Sequence, residues 1–251
     1  MLTKAKNKKE IKKGIEFFMV SNKFIHRFVK ACQVVFLTGN GLKAESVGGN
    51  IFNEEKLSLK EQRNNAPEKF WQRVLDARKQ YQQLQPNLGH FALVDLENRF
   101  EDFTLITTAI DGIHRRAGNK NLIELKGNVF QNRCYNCGTV FNADLKNVKP
   151  VCPHCGSTDI LPNVLQERQA PEESKLKQAQ RVSAEAEIFV TAGFNDQNED
   201  IKALPFIAKA NGAYLLEMNQ EKTEYSDAMN EMITGNPAKL LTAIVLILEK
   251  I

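Results

Sequence analysis

Short runs of apolar, often β-branched residues recur along the chain, and polar residues or glycines bound each run. Such runs are typical of strands that are buried on both faces of a parallel sheet. Four of them predict strands, and the first opens into a turn with two glycines. They are "QVVFLTGNG" from residue 33, "DFTLITTAI" from 102, "EIFVTAG" from 187 and "AYLLEMN" from 213.

Between these runs, apolar residues recur every three or four positions, which predicts amphipathic helices. Ser21 suits the N-cap of a helix that carries Phe24 and Phe28, and an earlier helix is predicted around residues 11–18. Pro67 suits the first position of another helix. The remaining helical segments are "NLGHFALVDLENR", "SKLKQAQRVSAEA", "IKALPFIAKANG" and "PAKLLTAIVLILEKI".

Strands that alternate with helices predict an α/β fold, a Rossmann-like parallel sheet with helices on both faces. The polar stretch from about 47 to 66 is predicted to be irregular. A chain of 251 residues, 42% of them hydrophobic, suits one large domain plus a small insert.

The net charge of +4 is unevenly distributed. Residues 1–31 hold nine Lys or Arg and two Glu, so the rest of the chain is slightly acidic. We interpret this basic arm as a solvated helix face rather than as a nucleic-acid-binding segment. We do not expect the rest of the chain to bind nucleic acid. The longest apolar run, "LLTAIVLIL" at 240–248, is too short to span a membrane. We expect a cytoplasmic protein.

Four of the five cysteines form two C-x-x-C pairs separated by 14 residues, one short of the usual spacing for four-thiolate zinc. Two thiolates from one tight turn occupy two corners of a tetrahedron. Four closed ligands predict a structural zinc ion, because catalytic zinc keeps an open position. We expect His154 to be a surface residue rather than a ligand. The predicted ligands are Cys134, Cys137, Cys152 and Cys155.

The loop "TGNGLKAES", residues 38–46, follows the first predicted strand. Backbone N–H groups at the carboxyl end of a strand commonly bind a nucleotide diphosphate. The pattern matches G-x-G-x-x-G only with Ala44 in the third glycine position. A tight strand-to-helix turn explains the loop equally well when it is considered alone.

Several motifs together resemble those of the sirtuins, which are NAD-dependent protein lysine deacylases. "FLTGNGLKAES" resembles the sirtuin T-G-A-G-I-S-A-E-S loop, "TTAIDGIHRRAG" resembles T-Q-N-I-D-x-L-H-x-x-A-G, and "ELKGN" resembles E-x-H-G. "PNLGHFAL" and "LLEMN" match two further motifs. The order, the spacing and the cysteine insert agree over residues 30–250. The chain is therefore identified as a member of the sirtuin family.

The resemblance implies an ancestral reaction that transfers an acyl group from a protein lysine to the ADP-ribose part of NAD. The implied partners are NAD or ADP-ribose and an acyl-lysine protein or peptide. The implied cofactor-binding residues are Gly39, Asn40, Gly41, Ser46, Asp111, Gly193 and Asn219.

The reacting groups depart from the sirtuin pattern. The histidine that acts as general base in the family is Lys126 here, and the Gln and Asn of Q-N-I-D are Thr108 and Ala109. Residues 47–53, where the family has an arginine, contain no basic residue. A lysine of ordinary pKa is protonated at neutral pH and cannot accept a proton. We interpret Lys126 as a replaced catalytic base and expect deacylase activity to be lost or strongly reduced.

Two basic residues have alternative interpretations. Lys43 replaces a serine of the phosphate loop, where it can supply the missing positive charge, although a solvent-facing lysine is the commoner outcome. Arg78 matches the arginine of a Tyr-x-x-Arg pair that bacterial sirtuins use for acidic acyl groups, but Leu75 replaces the tyrosine. We expect Arg78 to form a salt bridge on the helix surface.

Three hypotheses remain open. The first is a binding protein for NAD or ADP-ribose, and the second is an active deacylase or ADP-ribosyltransferase that recruits Asp111, His114 or Lys126. The third is a zinc-ribbon scaffold whose cleft Phe194 obstructs. The predicted domains are a Rossmann-like large domain at 1–49, 92–126 and 166–251, a helical module with the cofactor loop at 50–91, and a zinc-binding small domain at 127–165.

Overall fold

A computed structural model describes residues 20–43, 58–147, 149–166 and 169–251. In these ranges the strands are β1 Gln33–Thr38, β2 Asp102–Thr107, β3 Leu122–Glu124, β4 Gly127–Cys134, β5 Val140–Asn142, β6 Ile160–Val164, β7 Ile188–Ala192, β8 Tyr214–Asn219 and β9 Glu231–Thr234. The helices are α1 Asn22–Lys30, α2 Leu59–Asn65, α3 Pro67–Gln83, α4 Leu88–Arg99, α5 Ile113–Ala117, α6 Glu173–Glu185, α7 Glu199–Ala210 and α8 Pro237–Leu248.

Six of the strands form one sheet in the order β3-β2-β1-β7-β8-β9, and every neighbouring pair is parallel. The connection from β1 leads outward to β2 and β3, and the chain then returns to place β7 on the other side of β1. The strand order thus reverses between β1 and β7. In open α/β sheets, ligands bind at the carboxyl ends of the two strands that flank such a reversal.

Helices cover both faces of this sheet. Successive residues of β1 point to opposite faces, so Val34 and Phe36 enter one core while Val35 and Leu37 enter the other. The first core packs against α1, α4 and α8, and the second packs against α6 and α7. The predicted Rossmann-like architecture is therefore confirmed.

A second sheet of three antiparallel strands, in the order β5-β4-β6, holds the cysteine pairs. One side of it packs against α2 and α3, where Trp71 and Val74 meet Val129 and Ile160. Cys134 and Cys152 belong to the same buried cluster. The zinc-ligand segment is thus anchored to the helices that precede it in the chain.

The predicted helix after Ser21 is confirmed, since the Ser21 hydroxyl accepts a hydrogen bond from the Phe24 N–H over 3.0 Å. The prediction of an irregular stretch up to residue 66 is wrong for its last residues. They form α2, which begins with a capping box of Ser58 and Glu61. The sequence pattern does not predict β3, β5, β9 or α5, because these elements contain too few residues to show a hydrophobic period. The predicted helix at 11–18 lies outside the described residues.

Within the part of the chain that the structure describes, no helix is long and apolar enough to cross a membrane.

Candidate functional site

The loops after β1 and β7 meet at the point where the strand order reverses. The Gly41 N–H donates a hydrogen bond to the Gly193 carbonyl oxygen over 2.9 Å. Gly193 has a φ of 59°, and a Cβ added to it would lie 2.4 Å from the Gly41 carbonyl carbon. Only glycine permits such an approach of two backbones. The predicted nucleotide loop, Gly39 to Gly41, is therefore held against the β7 loop.

Lys43 follows this loop and forms a buried ion pair with Asp111. The Lys43 Nζ atom lies 2.7 Å from Asp111 Oδ2, and the two side chains are 15% and 2% exposed. Lys43 Nζ also lies 3.3 Å from Asn40 Oδ1 and over the ring of Tyr81. A solvent-facing Lys43 is thus excluded, and the lysine does bring a positive charge to this edge of the sheet. Asp111 neutralises most of that charge.

Asp111 is ionised despite its burial. Burial raises the pKa of Asp111, but the Lys43 ammonium and the Ile113 N–H outweigh this effect. The net pKa therefore lies below the usual value for an aspartate. The Ile113 N–H donates to Asp111 Oδ1 over 2.9 Å, which orients the carboxylate at the start of α5.

Two buried histidines lie beside this ion pair. The rings of His90 and His114 are 4.9 Å apart, and His114 Nε2 lies 3.0 Å from the Thr38 hydroxyl. Burial and, next, the neighbouring His90 lower the pKa of His114 to about 3, and burial lowers that of His90 to about 4. Both rings are neutral at neutral pH. His114 Nδ1 has no hydrogen-bond partner among the described residues.

Lys126, which the sequence resemblance aligns with the family histidine, also forms an ion pair. Its Nζ atom lies 2.7 Å from Asp196 Oδ2, and Asp196 is only 4% exposed. The other Asp196 oxygen accepts a hydrogen bond from the Asn198 N–H over 3.0 Å. This ion pair holds the Lys126 side chain against the loop that follows β7. Asp196 was not a sequence-predicted site residue, since one acid in a polar loop carries no signal.

Phe194 does not obstruct the cleft. Its side chain is fully buried in the core under α6 and α7, where it packs against Tyr225. The Phe194 carbonyl oxygen accepts hydrogen bonds from Asn219 Nδ2, over 2.8 Å, and from the Tyr225 hydroxyl. The interpretation of Phe194 as an obstruction is therefore wrong. Asn219 ends β8, and its amide also donates to Glu217 over 3.3 Å.

Two residues that the sequence resemblance aligns with the Gln and Asn of the family lie at the same edge. Thr108 and Ala109 are both 5% exposed, and the Ala109 N–H donates to the Thr107 hydroxyl over 3.1 Å. Ser46 and the segment 47–53 lie outside the described residues. Of the predicted nucleotide site, the structure thus brings together at the carboxyl edge of the sheet Gly39, Asn40, Gly41, Asp111, Gly193 and Asn219.

The four predicted zinc ligands form one cluster in the small sheet. Their Sγ atoms all lie within 4.8 Å of one another. The Gly138 and Gly156 N–H groups donate to the carbonyls of Cys134 and Cys152, which closes a tight turn around each pair. Four cysteines with no fifth ligand in the described part of the chain suit tetrahedral, structural zinc. His154 is exposed, as expected for a surface residue.

Arg78 is buried and does not form a surface salt bridge. It is 1% exposed, and its guanidinium donates to the carbonyls of Val129 and Gln131 and to Asn132 Oδ1 over 2.7, 3.2 and 2.6 Å. Burial lowers the pKa of Arg78 to about 10. The arginine connects α3 to β4, and these three hydrogen bonds engage its guanidinium. It is therefore not available to an acyl carboxylate.

The fold and the site together define a class: a doubly wound parallel sheet with a four-cysteine insert and a glycine loop at the strand reversal. The sequence profile of the Sir2 family matches residues 35–197. An NAD-dependent protein deacylase of Aquifex aeolicus is 35% identical over 202 residues, which cover 76% of this chain and 84% of that protein. The chain belongs to the Sir2 family of NAD-dependent deacylases.

Solved structures of Sir2 proteins share this fold. A mutant Sir2 homologue in complex with ADP-ribose is 26% identical, has a TM-score of 0.79, and covers 92% of this chain and 97% of its own. The structure of Sir2Af2 bound to a myristoylated histone peptide is 26% identical, has a TM-score of 0.70, and covers 91% and 95% of the two chains. The family, and with it the α/β fold with a cysteine insert, is therefore established.

Proposed function

We propose that this chain is a sirtuin-fold protein that keeps a cleft for NAD or ADP-ribose and has lost most or all of its lysine deacylase chemistry. Lys126 carries this proposal. It stands where the family has a histidine base, and its ammonium is paired with Asp196 at 2.7 Å. A positioned general base contributes on the order of 100- to 10,000-fold in rate. Loss of that group alone therefore removes most of the turnover.

The remaining polar groups support the same conclusion. Ala109 has no side-chain donor where the family has an amide, and Asp111 is already bound to Lys43. His114 cannot replace the base, since it is 2% exposed. Together with Lys126, Thr108 and Ala109 make three positions that lack the groups with which the family contacts and activates the ribose. A single compensating substitution elsewhere would not restore the groups at all three positions.

Nucleotide binding depends on different groups. The glycines at the strand reversal, Gly39, Gly41 and Gly193, keep side chains away from the space where a diphosphate binds in doubly wound folds. Asn40 and Asn219 offer polar groups at the same edge. The matching Sir2 structure that holds ADP-ribose supports this assignment. We propose Ser46 as a further contact on the grounds of sequence alone.

Other parts of the proposal follow from the sequence. We propose the zinc ligands as Cys134, Cys137, Cys152 and Cys155, and the domain division at 50–91 and 127–165. We also propose a cytoplasmic location, because paired C-x-x-C motifs bind zinc in reducing compartments.

Nicotinamide release tests the loss of chemistry. The zinc-loaded protein is incubated with NAD and a panel of acetyl, succinyl and myristoyl lysine peptides, and the Aquifex aeolicus relative serves as the active control. We expect release at background level. Peptide-dependent release would show that the deacylase reaction survives without the histidine. Release without any peptide would favour NAD cleavage or ADP-ribosyl transfer.

Calorimetric titration with ADP-ribose tests the retained cleft separately. We expect saturable binding that Gly41→Val weakens, because a side chain there meets the Gly193 backbone. Lys177→Ala serves as control, since Lys177 is 71% exposed on α6 and pairs with Glu173 on the same helix. No heat at millimolar ADP-ribose would remove the binding proposal and leave the loss of chemistry standing.

A further inference from the structure

A polar cavity of about 290 Å³ lies between the small sheet and the N-terminal turn of α6. Its polar lining includes the side chains of Lys126, Arg133, Tyr135, Glu172 and Lys175. Apolar walls come from Leu125, Pro162, Val164 and Leu165. We call this space the basic cavity. It lies apart from the glycine loops that form the proposed nucleotide site.

Three cations line the basic cavity, but Lys126 is paired with Asp196 and Arg133 with Glu172, which leaves Lys175 as the lining cation without an ion pair among the described residues. Lys126, Arg133 and Lys175 line it, and Glu172 is the one acidic residue among the lining residues that the structure describes. Arg133 is bonded to Glu172 and to Asn163 Oδ1, and the Ser174 hydroxyl donates to Glu172 over 2.8 Å. Glu172 is thus already engaged. It cannot neutralise a second cation fully.

Several donors in the basic cavity remain available. The Lys175 ammonium makes one hydrogen bond, to the Glu124 carbonyl at 3.4 Å, and forms no ion pair with any described residue. The Tyr135 hydroxyl and Arg133 Nη1 make no hydrogen bond within the described ranges of the chain. An ammonium, a guanidinium edge and a phenol around one space form a typical receptor for a carboxylate.

We propose that the basic cavity binds a carboxylate carried on a short aliphatic chain. The carboxylate would bond Lys175, Arg133 and Tyr135, while the aliphatic part would pack on the apolar walls. A free dicarboxylate and an acidic side chain of a peptide both have this chemistry. Inorganic phosphate has the charge but lacks the aliphatic part. The proposal does not depend on nucleotide binding or on deacylase activity.

The test is calorimetric titration of the zinc-loaded protein without any nucleotide. The probes are glutarate, an acetylated Gly-Glu-Gly amide peptide and inorganic phosphate. We expect glutarate or the peptide to bind more tightly than phosphate, because only they fill the apolar part of the cavity. The probe that binds more tightly distinguishes a free dicarboxylate from a peptide side chain.

Variants of α6 locate the binding. Lys175→Ala should weaken binding of the better probe by about tenfold or more, the usual effect of losing a charge-assisted hydrogen bond. Lys175→Arg should retain most of the affinity. Lys177→Ala is the matched control, because Lys177 lies on the same helix, is 71% exposed and pairs with Glu173 outside the cavity.

Two outcomes would overturn the proposal. One is the absence of binding at 20 mM of either carboxylate probe, a concentration roughly twenty times a millimolar dissociation constant. The other is equal binding by the Lys175→Ala and Lys177→Ala proteins, which would indicate general charge attraction. Melting temperatures of both variants show that they are folded. Failure to bind ADP-ribose would leave this result unaffected.

Discussion

Two lysines at unusual positions are each met by a buried aspartate. Lys43 pairs with Asp111 and Lys126 pairs with Asp196, both at 2.7 Å. A buried carboxylate without a partner is costly, so each lysine stabilises the folded protein by pairing with its aspartate. The sequence shows only which residues stand at these positions. The tertiary structure shows that each lysine is paired with an aspartate.

The Lys126–Asp196 pair should contribute measurably to stability. We expect Lys126→Ala to lower the free energy of unfolding by about 1–3 kcal/mol, since it leaves a buried carboxylate unpaired. Asp196→Asn in the same background should recover part of that loss. Urea unfolding of the two single variants and the double variant gives the coupling energy. A coupling energy near zero would mean that Lys126 is merely a surface lysine.

The buried histidines should make the protein less stable in mild acid. Their pKa values, about 3 and about 4, lie below the unfolded value, so the unfolded state binds more protons between about pH 6.5 and 4. The free energy of unfolding therefore falls as the pH falls through this window. We expect a loss of about 1–2 kcal/mol per histidine between pH 7 and 5, measured by urea unfolding.

Substitution shows how much each histidine contributes to this pH dependence of the free energy of unfolding. His114→Gln should flatten the pH dependence by about half, because it removes one of the two depressed groups. His26 is exposed on α1, and His26→Gln should leave the slope unchanged. An unchanged slope in His114→Gln would show that His114 is accessible to protons in the folded state.

At the scale of elements, the contact between the β1 and β7 loops determines the geometry of the cleft. It joins Gly41 and Gly193 by backbone alone. The spacing of the glycines after β1 is visible in the sequence, but the partner loop is about 150 residues further along the chain. The periodicity of the sequence does not predict a contact between residues so far apart in the chain.

Gly193→Ala should destabilise the protein strongly. The φ of 59° costs an alanine about 1–2 kcal/mol, and the added Cβ clashes with the Gly41 backbone at 2.4 Å. We expect a total loss of at least about 3 kcal/mol in thermal or urea unfolding. Gly212 is the control, since its φ is 91° but a Cβ there meets nothing within 4 Å. Equal losses in the two variants would exclude the close approach.

At the scale of the molecule, the cysteine cluster supports the contact between the small sheet and the helices α2 and α3. Trp71, the only tryptophan, lies in the buried cluster with Cys134 and Cys152. Its fluorescence therefore reports on this contact. The six-stranded sheet has two cores of its own, and neither includes a cysteine of the cluster.

Removal of zinc with a chelator should shift the Trp71 emission to longer wavelength while most of the helical circular dichroism remains. A structural zinc site contributes folding free energy directly to the segment that it closes. Cys137→Ser should reproduce the shift. Cys32→Ser should not, because Cys32 is exposed and lies outside the cluster. Complete unfolding on chelation would show that the two sheets form a single cooperative unit.

Long periodic segments and local motifs were predictable from the sequence. The strands β1, β7 and β8 and the helices α3, α4 and α8 fall where the apolar pattern predicts them. The fold class and the four clustered cysteines are also confirmed. The apolar pattern did not predict α2, because this helix has only seven residues and its one clear sequence signal is a capping box. Arg78 was misjudged because a basic residue on an amphipathic helix usually faces water.

The sequence by itself determined the alternation of strands and helices, the cysteine spacing, the motifs that resemble those of sirtuins and the presence of Lys126 in one of them. These features are local, and each is contained in a few neighbouring residues. The tertiary structure alone decided that Lys43 and Lys126 are paired, that Phe194 is buried and that Arg78 is enclosed. Burial and charge pairing join residues that are distant in the chain, and their energies depend on the folded surroundings.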